Sequence, residues 1–546
     1  MRTALAPRRR SCFVLFLYCC LIASPSLAQS AAPAAKAAPR RAAANTPEQR
    51  AARYLDTIRD QPSLLLEFIR ELPKGADLHN HLSGAVYAES YINFAARDGL
   101  CIDRKTYRAS APDKMPADAQ PAPDGKPPKP ACDESKGLVP AARAFGDGIL
   151  YREIVDAWSM RQVPAGESGH DHFFDTFGKF NAAKGDHMGD MLAEVVSRAA
   201  HGRLLHIEFT LNPDSGAAGR LATGLGWDGD MAALRQKLVE KQIEKAVADG
   251  RMTLDRAEQK MKADMNCGTL NADPGCGVSV RYLYEVNRLL PREQVFAQML
   301  AGFEMATADP RVVGVNIVAP EDGYVAMRDF SLHMQMFAYL KSVFPKVRLS
   351  LHAGELAPPL VPPEGLTFHI RESINVGKAE RIGHGVDVMY ERDPAALLKE
   401  MARKRVLVEI CLTSNDQILG VRGIDHPLLV YLKYGVPVAL ATDDEGVARS
   451  DINQEYLRAV ESYRFPYSTL KMFARNSLEY SFLPGASLWS DATSFRRAAC
   501  QADKPTPDGS ALTAACQKFM QASERARAQW ALEAQFAEFE SKFGAR

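Results

Sequence analysis

Short apolar runs rich in Val, Ile and Leu recur along the chain, and most of them end in polar or small residues. One run ends at His79 and His81, and seven more follow at residues 204–211, 278–286, 312–318, 347–351, 381–385, 406–412 and 436–441. Amphipathic segments of helical length lie between most of them, for example 328–344, 368–378, 394–404 and 427–434. Eight strand–helix repeats predict an α/β fold, the (β/α)8 TIM barrel. Barrel strands are buried on both faces, which explains why the runs are continuously apolar.

We expect a single barrel domain over residues 48–546, preceded by an Ala/Pro-rich disordered linker over 29–47. Residues 48–72 carry apolar positions at helical spacing and predict a lead-in helix. Two stretches interrupt the alternation and are predicted to be insertions, about 101–140 and 215–277. The second is charged and helical, and Gly250 is predicted to split it into a hairpin. The sequence leaves open whether this hairpin is a solvated decoration, a homodimer contact or a lid.

The N-terminus has the features of an export signal. Arg8, Arg9 and Arg10 precede an apolar run over residues 12–23, and the small-residue site Ser26-Leu-Ala28 follows. This order predicts a signal peptide over residues 1–28 and a periplasmic or secreted protein. The alternative is an uncleaved anchor, but the apolar run is short for a bilayer span. We therefore expect no membrane contact after cleavage.

Composition and cysteine spacing fit an exported enzyme. The chain has 546 residues, 46% of them hydrophobic and 24% charged, which are ordinary values for a soluble globular protein. The formal net charge of +1 does not indicate a basic surface that would bind nucleic acid. Six cysteines after the signal form three sequence-local couples, which predict the disulfides Cys101–Cys132, Cys267–Cys276 and Cys500–Cys516. Other pairings of these six stay open, and Cys411, inside an apolar run, is predicted to be a buried free thiol.

Histidines and carboxylates cluster at the ends of the predicted strands, where barrel enzymes place their active sites. His79 and His81 are two residues apart, so both imidazoles can point to one face of a strand. The fifth run supplies His352 and the eighth supplies Asp443. A mixed imidazole and carboxylate set with an open water position suits catalytic zinc. We predict one Zn²⁺ per chain, bound by His79, His81, His352 and Asp443.

Three further residues at these strand ends suit catalysis. Glu355 lies three residues after a predicted ligand, which suits a general acid/base that does not occupy the metal. His384, in the sixth run, can hold or deprotonate the metal-bound water. Asp444 follows Asp443 and would point away from the metal, towards a substrate. A two-metal amidohydrolase would need a modified Lys at a strand end, and the sequence offers no suitable one.

Other candidate residues are interpreted as structural. Four aromatic side chains at helical spacing predict a core-facing helix, namely Phe173, Phe174, Phe177 and Phe180. His206 lies within an apolar strand and His426 precedes Pro427, so both are predicted to be hydrogen-bonded core residues. His369 is predicted to be a helical or surface residue. The pair His170-Asp-His172 follows no strand and is a weak candidate for metal binding.

The chain resembles the adenosine deaminase family of the metal-dependent amidohydrolase superfamily. The matching motifs appear in family order and are Asp77-Leu-His-Asn-His-Leu-Ser-Gly84, Val312-Val-Gly-Val-Asn316, His352-Ala-Gly-Glu355, Arg381-Ile-Gly-His-Gly385, Val408-Glu-Ile-Cys-Leu-Thr-Ser-Asn415, His426-Pro427 and Thr442-Asp-Asp444. The export signal and the extra cysteines make the chain most similar to the secreted, growth-factor-related branch. A growth-factor-like binding protein with secondary catalysis therefore stays an alternative.

The resemblance implies hydrolytic deamination of adenosine, and of 2′-deoxyadenosine, to the inosine product and ammonia. It implies that Glu355 protonates ring N1, that His384 and Asp443 orient the attacking water, and that Asp444 holds ring N7. It also implies substrate contacts by Ser83, Gly84 and Ala319.

The chain departs from the family at two of these positions, because many members have an acidic residue where Ser83 stands and a Gly where Ala319 stands. Another adenine derivative therefore stays an alternative substrate.

Overall fold

Eight parallel strands form one sheet in chain order, each hydrogen-bonded to the next. They are β1 (Gly75–His81), β2 (Leu204–Leu211), β3 (Ser279–Asn287), β4 (Val312–Val318), β5 (Arg348–Ala353), β6 (Arg381–His384), β7 (Leu407–Ile410) and β8 (Val438–Leu440). Two backbone hydrogen bonds join the ends of the sheet, from Asp443 N to His79 O (2.8 Å) and from His81 N to Asp443 O (3.2 Å). The predicted (β/α)8 TIM barrel is therefore confirmed.

The structure is a computed structural model that describes residues 45–113, 131–491, 495–497, 500–506 and 512–545. Its α-helices flank the barrel and are α1 (Pro47–Ile58), α2 (Pro62–Glu71), α3 (Leu82–Ala85), α4 (Ala88–Arg97), α5 (Gly148–Ala157), α6 (Gly169–Phe180), α7 (Met188–His201), α8 (Ala217–Leu221), α9 (Met231–Glu240), α10 (Ile243–Asp264), α11 (Arg292–Ala308), α12 (Tyr324–Val343), α13 (His369–Asn375), α14 (Pro394–Lys404), α15 (Leu412–Leu419), α16 (Leu428–Tyr434), α17 (Ile452–Tyr463), α18 (Tyr467–Glu479), α19 (Ala514–Ala522) and α20 (Glu524–Gly544). None of these helices is long and apolar enough to cross a membrane.

The predicted lead-in helix is two helices. Thr46 caps α1 in a capping box with Gln49, so α1 starts at Pro47, the last residue of the predicted linker. The helix ends at Ile58, and Pro62 starts α2 because proline suits the first turn of a helix and not its interior. The predicted signal peptide lies outside the described residues.

The strands follow the alternation of a buried barrel, and β3 shows this best. Tyr282 and Tyr284 point outwards, where their hydroxyls donate to Glu258 (3.1 Å) and Asp214 (2.9 Å). The residues between and after them, Leu283, Glu285 and Asn287, therefore point to the barrel interior. This alternation gives β3 polar inward side chains near its carboxyl end.

The helical insertion is not split at Gly250. The helical stretch is interrupted at Gln242, which has a left-handed backbone conformation (φ 60°), and α10 then continues through Gly250. A Cβ atom at Gly250 would lie 2.6 Å from Cε of Met305, so glycine permits close packing of α10 on α11. The apolar side of α10 is buried, which favours a packed decoration over a lid.

The three predicted disulfides are confirmed, and Cys411 is buried and free. Cys101 begins a small antiparallel sheet made of Cys101–Asp103, Ala109–Ser110 and Leu138–Pro140. Residues 114–130 of the first predicted insertion lie outside the described part of the chain. The disulfide therefore ties that insertion to the sheet at its base.

Candidate active site

Four side chains predicted to bind a metal converge at the carboxyl ends of β1, β5 and β8. The Nε2 atoms of His79, His81 and His352 lie 3.1 to 3.3 Å from one another. Oδ1 of Asp443 lies 3.4 Å from Nε2 of His81 and 3.6 Å from Nε2 of His79. All four residues are buried. These short and similar separations place the four side chains around one common point.

The cluster fits a zinc ion. Four ligands at about 2.0–2.1 Å from one tetrahedral ion are about 3.3 Å apart, which is the spacing observed here. The three Nε2 atoms face each other at hydrogen-bond distance, and they cannot all be satisfied by donating to one another. A cation that accepts three lone pairs resolves this arrangement.

Neighbouring residues fix the tautomers that a metal requires. Nδ1 of His79 lies 2.8 Å from a carboxylate oxygen of Glu409, and Nδ1 of His352 lies 2.9 Å from the amide oxygen of Asn316. Both contacts place the ring proton on Nδ1, so Nε2 presents its lone pair to the cluster. Sequence reasoning did not find these two partners, although both lie in motifs that it singled out.

A buried network of ion pairs holds the side chain of Glu409. Arg381 lies 2.6 Å from Glu409 and 2.8 Å from Glu208, and all three side chains are buried. Burial alone would raise the pKa of Glu208, but Arg381 and His206 lower it to about 2. His206 contacts Glu208 and the carbonyl of Ser279, as expected for a hydrogen-bonded core residue. The network fixes the position of the Glu409 carboxylate next to the metal cluster.

A hydrogen-bond relay fixes the tautomer of His384. The backbone N–H of Leu428 donates to Nδ1 of His426, so the proton of that ring is on Nε2. His426 Nε2 then donates to Oδ1 of Asn415 (3.0 Å), and Nδ2 of Asn415 donates to Nδ1 of His384 (3.0 Å). His384 therefore carries its proton on Nε2, which lies 3.6 Å from Oε1 of Glu355. Of the two roles expected for His384, this geometry favours holding a water by donation.

Two buried carboxyl groups suit proton donation. Burial raises the pKa of Glu355 well above its usual range, and the charges of Asp443 and Glu321 raise it further. Burial and the adjacent Asp443 likewise raise the pKa of Asp444. The raised pKa values favour the protonated form of both groups, in which each can act as a hydrogen-bond donor.

The chain turns sharply where it carries these side chains. Ala319, His384 and Asp443 have positive φ angles of 83°, 68° and 60°. Such left-handed conformations cost residues other than glycine about 1–3 kcal/mol each and cluster at functional sites. At Asp443 the two backbone hydrogen bonds that close the barrel hold the strained turn in place.

A cavity of about 430 Å³ opens onto this cluster. Its walls come from eight stretches of the chain and include the predicted residues Ser83 and Ala319. The full set is His81, Ser83, Phe173, Phe174, Phe177, Lys184, Glu285, Asn287, Leu289, Val318, Ala319, Pro320, His352, Glu355, Ile418, Asp443 and Asp444. Gly84 is not a wall residue and instead lies against Asp444. His170 and His172 are not in the metal cluster and pair with nearby acids, Asp322 and Glu167 among them.

The aromatic helix corrects one expectation. Phe173 and Phe180 are buried, but Phe173, Phe174 and Phe177 also line the cavity, so α6 forms part of the wall of the site. Helical periodicity identifies the apolar side of α6 but cannot tell a core from the wall of a ligand cavity. Sequence reasoning also missed three other wall residues, Lys184, Glu285 and Asn287, because no motif marks them.

Comparison with known proteins identifies the family. The profile of the family described as adenosine deaminase matches residues 165–487, which is more than half of the chain. The chain belongs to the adenosine deaminase family. The match begins after β1, so His79 and His81 join the site through the geometry given above.

Individual relatives of this adenosine deaminase family member are distant. An adenosine deaminase from Mycobacterium sp. (strain KMS) is 30% identical over 246 residues, which are 43% of this chain and 63% of that protein. The alignment thus spans less than two thirds of the relative. Solved structures that are similar include an adenine deaminase from Arthrobacter aurescens (19% identity, TM-score 0.47, covering 76% of this chain and 94% of that one). An N6-methyl-AMP deaminase from Arabidopsis thaliana is similar to the same extent (20% identity, TM-score 0.48, covering 77% of this chain and 94% of that one).

A buried acid, Glu321, holds the segment that carries Glu355 in this adenosine deaminase family member. Its carboxylate accepts the backbone N–H groups of Gly354 (3.0 Å) and Glu355 (2.8 Å) and lies 2.5 Å from Nδ1 of His369. His369 is helical, but it is fully buried and not at the surface. Glu321 therefore positions the proposed proton donor through the backbone.

We expect this clamp to make the protein sensitive to acid. Burial alone would raise the pKa of Glu321, but the His369 contact, Arg288 and the Gly354 amide lower it to about 2 from 4.5. A lowered pKa stabilises the fold by about 3 kcal/mol above pH ~4.5, and this contribution is lost as the pH falls towards 2. Glu321→Gln should therefore unfold at a lower temperature than wild type near pH 7, with a smaller difference near pH 3. An equal difference at both pH values would contradict this account; the exposed Glu364→Gln is the matched control.

Gly84 is predicted to be essential because Asp444 occupies the space of its side chain. A Cβ atom at Gly84 would lie 1.6 Å from Oδ1 of Asp444. Gly84→Ala must therefore displace Asp444, and a displacement of about 1 Å in a catalytic site costs roughly 100-fold in rate. We expect such a loss of kcat/KM with metal retained. Gly148→Ala is the control, since nothing lies within 4 Å of that position; equal activity of both variants would refute the packing argument.

Proposed function

We propose that this protein is a zinc-dependent hydrolase that deaminates adenosine and 2′-deoxyadenosine. The observation that carries the proposal is the juxtaposition of a four-ligand metal cluster with buried Glu355, whose pKa is raised, in the wall of one cavity. Attack on a C=N carbon requires a nucleophile on one face and a proton donor at the nitrogen. Family membership supports the same chemistry.

The side chains can be assigned roles on a purine. His79, His81, His352 and Asp443 would hold Zn²⁺, which when bound lowers the pKa of a water so that a nucleophile is available near neutral pH. Glu355 donates its proton to ring N1, which makes C6 electrophilic. His384 donates from Nε2 and orients the attacking water.

Asp444 completes the assignment at the opposite side of the base. Its raised pKa favours the protonated carboxyl group. Ring N7 of adenine is an acceptor, so protonated Asp444 can donate to it. Gly84 allows the carboxyl group to occupy this position.

We also propose that the protein acts outside the cytoplasm. Three disulfides support this, because such bonds persist in oxidising compartments. The N-terminal signal pattern supports it too. N-terminal sequencing of the exported protein should give a start at Gln29, and retention of residues 1–28 on an exported chain would contradict the cleavage site.

A spectrophotometric assay tests the activity. Purified protein is incubated with adenosine or 2′-deoxyadenosine, and loss of absorbance near the adenine maximum is followed together with ammonia release. We expect turnover that a chelator abolishes and Zn²⁺ restores. Absence of deamination of both nucleosides by the zinc-loaded protein would overturn the proposal.

A further inference from the structure

The wall of the cavity carries a charged pair that the deamination chemistry does not use. Glu285 and Lys184 both line the cavity, Glu285 from the end of β3 and Lys184 from the turn after α6. Neither belongs to the metal cluster or to the proton donors described above. A half-buried ionisable group in a cavity wall that has no catalytic task is a candidate for ligand recognition.

The barrel places Glu285 close to the reacting centre. Glu285 on β3 is the register partner of Asn316 on β4, the residue that orients His352. Paired strands are about 4.8 Å apart, so the Glu285 backbone lies one strand from the support of a metal ligand. The charge of Glu285 also raises the pKa of Asp444. A purine held by Glu355 and Asp444 would therefore bring its substituents within reach of Glu285.

The state of Glu285 indicates what it would bind. Its side chain makes no hydrogen bond to the residues that the structure describes, and it faces the cavity. Burial raises its pKa, and the charge of Lys184 opposes that rise. The oxygens of a carboxyl group accept hydrogen bonds, and two oxygens can receive two donors. A ligand part that supplies donors therefore suits this position.

The charge of the wall argues against a phosphate at this place. Among the wall residues, Lys184 is the single Lys or Arg, whereas Glu285, Glu355, Asp443 and Asp444 are four carboxyl groups. Phosphate sites usually offer Arg forks or several donors. A neutral sugar with hydroxyl donors matches one carboxylate balanced by one ammonium group.

We propose that Glu285 binds a hydroxyl group of the ribose, with Lys184 balancing its charge, so that the site selects nucleosides over 5′-nucleotides. This inference rests on the proposed adenosine deamination. Ser83, in the short helix α3 after β1, offers only a hydroxyl, so Glu285 is the carboxyl group of the wall that lies outside the catalytic set. Glu285 is in this view a specificity-determining residue.

Substrate analogues with single hydroxyl groups removed test the inference. We would measure kcat/KM for adenosine and its 2′-, 3′- and 5′-deoxy analogues, and for adenosine 5′-monophosphate, with wild type, Glu285→Gln and the exposed control Glu364→Gln. A hydrogen bond to a charged group corresponds to about 10- to 100-fold in affinity. Glu285→Gln should lose that factor for adenosine, mainly through KM, and lose almost nothing for the analogue that lacks the contacted hydroxyl. The ratio of kcat/KM for adenosine to kcat/KM for adenosine 5′-monophosphate should also be smaller in this variant than in wild type.

Two outcomes would overturn the inference: an unchanged kcat/KM for adenosine, or an equal loss for all three deoxy analogues. Circular dichroism and thermal unfolding verify that the variant is folded. Calorimetric binding of adenosine to Glu355→Gln and to the double variant Glu355→Gln/Glu285→Gln separates the two proposals. If the wild type does not turn over adenosine but adenosine binding depends on Glu285, only the proposed activity is rejected. If the wild type turns over adenosine without any dependence on Glu285, only the ribose contact is rejected.

Discussion

Replacing Glu355 by Gln is expected to lower kcat for adenosine by about 10²- to 10⁴-fold while the protein keeps its metal. Glutamine has the same shape but cannot transfer a proton to ring N1. Glu355 lies beside His384 and outside the four-ligand cluster, so its loss leaves the ligand set complete. The measurement is steady-state kinetics on zinc-loaded protein with metal content determined in parallel.

The control for this variant is Glu364→Gln, an exposed acid nine residues further along the chain. It should behave like wild type. Turnover of Glu355→Gln within tenfold of wild type, with equal zinc content, would contradict the role of Glu355 as proton donor. Loss of zinc from this variant would instead contradict its placement outside the ligand set.

Replacing His352 by Ala is expected to remove the metal and with it the activity. His352 lies 3.1 Å from both other histidines at Nε2, and the remaining three ligands leave an incomplete site. Because the metal lowers the reaction barrier by several kcal/mol, kcat should fall by about 10³-fold or more. Inductively coupled plasma mass spectrometry should find well under one zinc per chain.

His201→Ala serves as the control for a histidine change, since His201 is exposed at the end of α7 and its ring hydrogen-bonds to the Ser197 carbonyl, outside the site. It should retain zinc and activity. Full zinc occupancy in His352→Ala would contradict the assigned ligand set, provided that circular dichroism shows a folded protein.

The barrel could be predicted because its signal is periodic and repeated. Eight apolar runs separated by amphipathic segments fix the fold class even where one run is weak. Residues 381–385 have poor strand propensity, and β6 nevertheless forms over Arg381–His384. Its neighbours on both sides pair with it, so tertiary context decides the outcome.

The metal cluster was also within reach of the sequence, because strand ends of a barrel meet at one edge. The supporting partners were not. Glu321 and His369 meet across 48 residues, and nothing in their local sequence marks a buried pair. Asn415 and His426 lie within motifs and Leu428 directly follows one, but only coordinates reveal that the three residues fix the tautomer of His384.

Helix packing accounts for the remaining differences. Gly250 looked like a break by propensity, yet it is a contact point between α10 and α11. The phenylalanines of α6 looked like core residues, yet three of them line the cavity. In both cases the deciding contact is made with a distant segment, which periodicity in a single window does not contain.

The most direct test of the central claim is a zinc titration of metal-free protein. The protein is treated with a chelator, freed of it, and assayed for adenosine deamination after stepwise addition of Zn²⁺. The account predicts no activity without metal, a linear rise, and a plateau at one zinc per chain, because the described part of the chain has one four-ligand cluster that would hold the ion. Full activity in metal-free protein, or a plateau that requires two ions per chain, would contradict it.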